Sequence, residues 1–221
     1  MLTSLTQADL ASIAAEPYET RGIPHSEMAL ILHTCRRLSI EVVIESGRAR
    51  GQSTALLSKY LPDAKIYSVE QRSQHPDTVF GLERCASLPN VTLIDGDGRD
   101  ALPRLAAFAA PARCAILCDG PKGAAAVAVL EACFAYPHVI VGFIHDMRRL
   151  DHGAPSPHRA AAIARLPHHK FSDEQALTAA SSWMDANVLA AGGPVGPAHE
   201  AEFGSYGPTI GVFFNSQATK Q

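Results

Sequence analysis

The sequence predicts an α/β fold built on a doubly wound, mostly parallel seven-stranded sheet with helices on both faces. Two observations predict it. Five short runs rich in apolar and β-branched residues, at 40–45, 65–70, 91–95, 114–119 and 139–144, are separated by stretches of helical spacing, the strand and helix alternation of parallel crossovers. Most of these runs are continuously apolar, as strands covered by helices on both faces are. HKF at 169–171 and TIGVFF at 209–214 supply a further short strand and a closing one.

The elements follow in order. Residues 26–38, SEMALILHTCRRL, place Met28, Ile31, Leu32, Cys35 and Leu38 at helical spacing, with Ser26 as the expected N-cap after Pro24. IEVVIE is the first strand, followed by a glycine turn and a helix through Ser53, Leu56, Leu57 and Tyr60. Strand KIYSVE leads to a helix through Phe80 to Cys85, and strand VTLID to a helix after Asp100. Strand CAILCD leads to an alanine-rich helix from about Lys122 to Tyr136, and strand VIVGFI ends at Ile144. Beyond His145 the pattern weakens to a helix near 157–165 and one spanning roughly 174–191. Residues 192–208, GGPVGPAHEAEFGSYGP, read as irregular, either a flap beside a site or an ordinary connector. The chain of 221 residues is read as one domain: N-terminal helices in 1–38, a cofactor-binding half in 39–146 and a substrate-side half in 147–221.

Composition narrows the function classes. Apolar residues make up 47% and charged residues 19%, which suits a chain that folds around its own core. With a net charge of -3 and no basic stripe, neither nucleic acid nor an anionic membrane surface is an expected partner. No run approaches the ~20 apolar residues of a membrane span and the start lacks a signal-peptide layout, so a cytoplasmic protein is expected. Five cysteines, scattered and without a Cys-x-x-Cys pair, read as buried hydrophobes. The oligomeric state is left open, a homo-oligomer included.

The turn Glu45-Ser-Gly47-Arg-Ala-Arg-Gly51-Gln-Ser53 follows the first strand, where an open α/β sheet binds ligands on the N-terminus of a helix. Gly47 is expected to turn the backbone tightly, Gly51 to let the helix start close to the strand, and Ser53 to cap it. Glu70, 23 residues after Gly47 at the end of the second strand, is placed to accept from two ribose hydroxyls. After the third strand, Asp97 and Gly98 in Asp95-Gly-Asp97-Gly98 either meet an adenine and its exocyclic amine or form a plain turn.

VVIESGRARGQSTALLSKYLPDAKIYSVEQ resembles the first motif and acidic second strand of class I S-adenosylmethionine-dependent methyltransferases, and VTLIDGDGRDALPRL resembles the following stretch in small-molecule O-methyltransferases of the catechol type. The first motif is also similar to that of cephalosporin hydroxylase-like methyltransferases. The likeness covers roughly residues 25–146 and implies a Rossmann-like methyltransferase fold, with S-adenosyl-L-methionine bound through Glu45, Gly47, Gly51, Ser53, Glu70, Asp97 and Gly98. The sequence departs at Ala49, which stands for the central glycine between Arg48 and Arg50. Those arginines either approach the methionine carboxylate or, the favoured reading, face solvent. Glu45 is expected to oppose the pyrophosphate of a dinucleotide and to suit the ammonium of S-adenosylmethionine.

The fourth strand ends in Asp119-Gly-Pro-Lys122-Gly123 and the fifth in His145-Asp146. The resemblance implies a divalent metal on Asp119, His145 and Asp146, although a histidine stands where hard cations favour a carboxylate and softer transition metals accept imidazole. His145 has two other readings, a general base oriented by Asp119 or Asp146, and a histidine that merely ends a strand. Lys122 either anchors an anionic substrate group or, by slight preference, faces solvent. Trp183 and Met184 are read as helix packing, and His152, His158, His168 and His169 as surface residues. The expected function is methyl transfer to an oxygen of a small molecule, with Asp119 and His145 catalytic. A non-catalytic nucleotide-binding protein is the alternative, and an NAD(P)-dependent oxidoreductase a more distant one.

Overall fold

A sheet whose strands read apolar on both faces needs helices above and below it, and the chain supplies them. The structure, a computed structural model, describes residues 2–19, 21–71 and 74–218. In order, α1 (Gln7–Ala14) and α2 (His25–Arg37) precede β1 (Val42–Ser46), α3 (Gln52–Tyr60), β2 (Lys65–Glu70), α4 (Pro76–Cys85), β3 (Val91–Asp95), α5 (Gly98–Phe108), β4 (Cys114–Cys118), α6 (Ala124–Phe134) and β5 (Val139–Ile144). A small hairpin, β6 (Leu150–Asp151) with β7 (Ala154–Pro155), leads to α7 (Pro157–Arg165), β8 (His169–Phe171), α8 (Gln175–Ser181), a 3₁₀ turn, α9 (Ala186–Ala190), α10 (Pro197–Phe203) and β9 (Gly211–Phe214).

The seven-stranded sheet has the order β3-β2-β1-β4-β5-β9-β8, with β1 to β5 parallel and β9 antiparallel to both its neighbours. Successive strand residues face opposite sides. Val43, Ile66, Leu117 and Phe143 therefore pack against α1, α2 and α3, whereas Ile44, Val69, Ile116 and Ile144 pack against α5, α6 and α7. The expected double layer of helices is present. The edge strands β3 and β8 are the least buried of the sheet.

Four local expectations are corrected. Helix α2 starts at His25 after Pro24, so Ser26 is not its N-cap. Its first turn is capped at long range: Asp185 accepts from the Ser26 backbone N–H at 2.9 Å and from its hydroxyl at 2.6 Å. The single helix expected over 174–191 is three short pieces, because the 3₁₀ turn at Ser182–Asp185 interrupts it to bring Met184 and Asp185 inward. Residues 192–208 are not wholly irregular. Pro197 sits at a helical first turn, where its missing N–H costs nothing, and Gly204 ends α10 in the left-handed conformation, so the punctuation frames a helix. Trp183 is 47% exposed, while Met184 is fully buried. All five cysteines are buried and unpaired, as expected. Among the described residues no helix is long and apolar enough to cross a membrane.

Candidate active site

The strand order reverses between β1 and β4, and a cleft lies at the carboxyl ends of the strands around this point. It has a volume of about 390 Å³, within the span of small-molecule sites, and its walls include Gly47, Glu70, Asp97, Gly98, Asp119 and Lys122. Six of the sequence-predicted residues, from four strand ends, thus meet in one place.

Gly47 turns with φ +90°, and a Cβ there would lie 2.8 Å from both the Asp119 carbonyl carbon and the Gly120 nitrogen. The β1 and β4 loops touch backbone to backbone, and only glycine fits between them. Ala49, where the resembled motif has glycine, adopts φ +42° and donates its N–H to Glu70 Oε2 at 2.8 Å. Glu70 also accepts from Gln71 N at 2.9 Å, so the end of β2 pins the turn of β1. Gly51, with φ +77°, serves α3 as N-cap, and a Cβ on it would strike Cys85 Sγ at 2.7 Å. Its smallness admits α4, not the strand that was expected.

Glu45 and Ser53 are not on the cleft wall. Glu45 is fully buried beneath the turn, where Ser53 Oγ and Thr54 Oγ1 donate to its carboxylate and Ser68 Oγ does so at 2.8 Å. Burial pushes its carboxyl up from the ordinary range against these hydrogen bonds. Ser53 therefore ties α3 to β1 from below and caps no helix end. Glu45 cannot select the charge of a ligand from this position; the acids facing the cleft are Glu70, Asp77, Asp97 and Asp119. Arg48 turns inward as well, 2% exposed, and donates to the Ser68 carbonyl at 2.6 Å. Arg50 stacks 4.2 Å over Phe80 and pairs with Glu19 and Asp77.

Asp97 caps α5 by accepting from Arg99 N at 2.9 Å, and the Arg99 side chain grips the same carboxylate, which holds it below its usual range. Gly98 is required where it stands, since a Cβ would lie 2.7 Å from the Gly120 carbonyl and 2.9 Å from Ser46 Cβ. Ser46 itself is a residue that sequence reasoning passed over. It lines the cleft, and its buried hydroxyl has no hydrogen-bond partner among the described residues.

At the ends of β4 and β5 lies a charged cluster. His145 Nδ1 is 2.8 Å from Asp119 Oδ1 and 3.6 Å from Asp146 Oδ1, while its Nε2 is 3.4 Å from Glu27 Oε2 on α2. Lys122 Nζ contacts Asp119 Oδ1 and lies 2.6 Å from Asp146 Oδ2. Burial alone would raise the Asp119 carboxyl, but His145 and Lys122 overcome it and hold the pKa down to about 2. Burial likewise opposes charge on His145, and Asp119 outweighs it, raising the imidazole to about 10. The protonated ring is favoured by Asp119, which accepts from Nδ1, and by the Glu27 carboxylate 3.4 Å from Nε2. Asp146 holds φ +63°, a conformation that aspartate tolerates better than most side chains.

The structure thus brings Asp119, His145 and Asp146 together as expected, and Lys122 keeps the solvent exposure preferred for it while its Nζ pairs with both carboxylates. A divalent metal fits this arrangement poorly, because an ammonium already joins the two carboxylates and the imidazole nitrogen facing them carries a hydrogen. Glu27 went unnoticed in the sequence. Its signal was there: four residues before Ile31 and eight before Cys35, it puts an acid on the apolar face of α2, and burying a carboxylate demands a partner.

No family model matches this chain, and no curated protein matches it. Solved structures do match. An O-methyltransferase from Bacillus cereus in complex with SAH aligns with a TM-score of 0.57 at 16% identity, covering 95% of this chain and 92% of that one. The O-methyltransferase TomG from Streptomyces achromogenes, involved in tomaymycin synthesis and in complex with SAM, aligns at 0.52 with 15% identity, covering 96% and 92%. The precorrin-6y C5,15-methyltransferase of Geobacter metallireducens aligns at 0.50 with 14% identity over 71% and 76%. At these identities the likeness is one of fold. The chain has the Rossmann-like fold of methyltransferases and in that fold resembles the small-molecule O-methyltransferases.

Proposed function

We propose that this protein is an S-adenosylmethionine-dependent methyltransferase that acts on an oxygen of a small molecule. The observation that carries this reading is the cleft at the ends of β1, β2 and β4. There the Gly47 turn, packed on the β4 loop, the unpartnered Ser46 hydroxyl and the backbone-anchored Glu70 line the same cleft. Glu70 would accept from the ribose hydroxyls, and the Gly96 to Gly98 backbone with Asp97 would face the adenine. The turn at Gly47, with Ser46, would hold the amino acid end. When bound, S-adenosylmethionine supplies an electrophilic methyl group on a positive sulfur.

The chain's own residues then supply alignment and charge. Asp119, kept ionised by His145 and Lys122, forms a rigid acidic wall next to the Gly47 turn. The half-exposed Lys122 ammonium, raised by Asp119 and Asp146 against partial desolvation, has three N–H donors and two carboxylate partners. A remaining N–H can donate to the acceptor oxygen and favour its deprotonated form, the hydroxyl proton leaving to bulk water. His145, already protonated at neutral pH, takes no proton and instead fixes Asp119. Positioning of two reactants in one cleft is the largest contribution such a site makes to rate.

The test is transfer of an isotope-labelled methyl group from S-adenosylmethionine to a panel of phenols, hydroxy acids and sugars, read by mass spectrometry. Label is expected on oxygen, with Asp119→Asn and Lys122→Met each slowing transfer by about 100-fold or more. Label on carbon or nitrogen, or full turnover in both variants, would contradict the reading.

A further inference from the structure

The cluster at the ends of β4 and β5 has the outline of a metal site. Asp119, His145 and Asp146 each offer a ligand atom, all within 4.8 Å of one another. The position among them is held by a side chain. Lys122 Nζ sits against Asp119 Oδ1 and 2.6 Å from Asp146 Oδ2, drawing together the two carboxylates that a divalent ion would draw together. His145 closes the third side. Its Nδ1, 2.8 Å from Asp119 Oδ1, faces an acceptor-only carboxylate and so donates a hydrogen, which leaves no lone pair directed at the cluster. Its other nitrogen is 3.4 Å from Glu27 Oε2, and Glu27 is itself anchored by accepting from Thr209 N at 2.8 Å.

The connection to the fold makes this more than a surface ion pair. Lys122 lies three residues after Asp119 in the turn that leaves β4, directly before Gly123, whose φ of +62° begins α6. A Cβ on Gly123 would lie 2.6 Å from His158 Nδ1, so the turn that carries the lysine is packed against α7. Asp146 approaches from β5 in its left-handed conformation. Two loops, at the ends of β4 and β5, therefore meet at one ammonium.

We propose that Lys122 is a built-in cation, taking the place that a divalent metal would hold between Asp119 and Asp146, so that this site works with a single positive charge supplied by the chain. A single ammonium differs from a divalent ion in what it can do for a bound oxygen: it donates one directional hydrogen bond and cannot chelate a pair of oxygens.

Chelator-stripped protein is titrated with Mn²⁺ alone, and free Mn²⁺ is followed by its electron paramagnetic resonance signal. The wild type is expected to bind no stoichiometric Mn²⁺ up to about 1 mM, and Lys122→Met to gain one site at least about 10-fold tighter. Adding Asp119→Asn to that variant should abolish the gain. Lys122→Gln serves as a second variant if the methionine change does not fold. A wild-type site with a dissociation constant below about 10 µM that is lost in Asp119→Asn would overturn the inference. So would the absence of any gain in the folded lysine variants. Binding of S-adenosylhomocysteine, measured by calorimetry on the same samples, reports separately on the cofactor reading.

Discussion

Replacing Gly47 by alanine tests the backbone contact on which the cleft depends. Two costs fall on the new methyl group. The backbone holds φ at +90°, a region that costs a non-glycine residue roughly 1 kcal/mol, and the Cβ would sit 2.8 Å from two backbone atoms of Asp119 and Gly120. Backbone cannot swing aside as a side chain can, so overpacking adds about 1–3 kcal/mol. The sum of about 2–4 kcal/mol corresponds to a fall in melting temperature of about 5–15 °C for a domain of this size. Gly153 provides the control. It too has a positive φ, +80°, but a Cβ there meets nothing within 4 Å. Gly153→Ala should therefore show only the conformational cost, within about 1 kcal/mol. Thermal unfolding of both variants, paired with calorimetry of S-adenosylhomocysteine, separates the two costs. Gly47→Ala should also weaken that ligand by about 10-fold or more, because the β1 and β4 loops must part. Equal stability and equal affinity in the two variants would refute the backbone contact.

Asp173 is 3% exposed at its side chain and receives Arg159 through both oxygens, Arg149 Nε at 2.9 Å and the Ser205 hydroxyl at 2.9 Å, so Asp173→Asn should cost about 3–5 kcal/mol by urea unfolding. An unchanged midpoint would show that the knot joining α7, β8 and the β5 loop carries no stability. The His145 imidazole, raised from 6.5 to about 10, stabilises the fold fully below pH 6.5 and loses that contribution as pH rises towards 10. Asp119, lowered from 3.8 to about 2, contributes above pH 3.8 and loses it as pH falls towards 2. Wild-type stability should thus decline between pH 6.5 and 10, with a flatter profile in His145→Gln; parallel profiles would sink the assignment. All five cysteines are buried, with burial pushing Cys35 and Cys133 up to about 12 and Cys85 to about 11. Native protein should resist thiol reagents over hours while all five thiols react in urea, and rapid native labelling would contradict that burial.

What the sequence revealed and what it hid follow from the range of the forces involved. The parallel strands were legible because burial on both faces writes itself as continuous apolar runs, and β2, β3 and β5 fall on the runs chosen for them. Gly47, Glu70, Asp97, Gly98, Asp119 and Lys122 were found together because a parallel sheet sends every strand end to the same edge. Interactions distant in sequence were not legible. The capping of α2 by Asp185, 159 residues from Ser26, replaces a local cap that looked adequate. Glu45 read as a ligand contact because its position matches a motif, but the hydroxyls of Ser53, Thr54 and Ser68 that engage it only become neighbours once β1, β2 and α3 pack. The charge state of His145 was hidden for the same reason, since one of the three carboxylates around it arrives on α2, from Glu27.

Calorimetric titration of S-adenosylhomocysteine into the wild-type protein and into Glu70→Ala probes the cleft most directly. One molecule per chain is expected to bind the wild type with a dissociation constant of about 100 µM or tighter, weakened at least about 10-fold by the loss of the β2 carboxylate. No binding to the wild type at millimolar ligand, or identical affinity in the two proteins, would contradict the assignment of this cleft to S-adenosylmethionine.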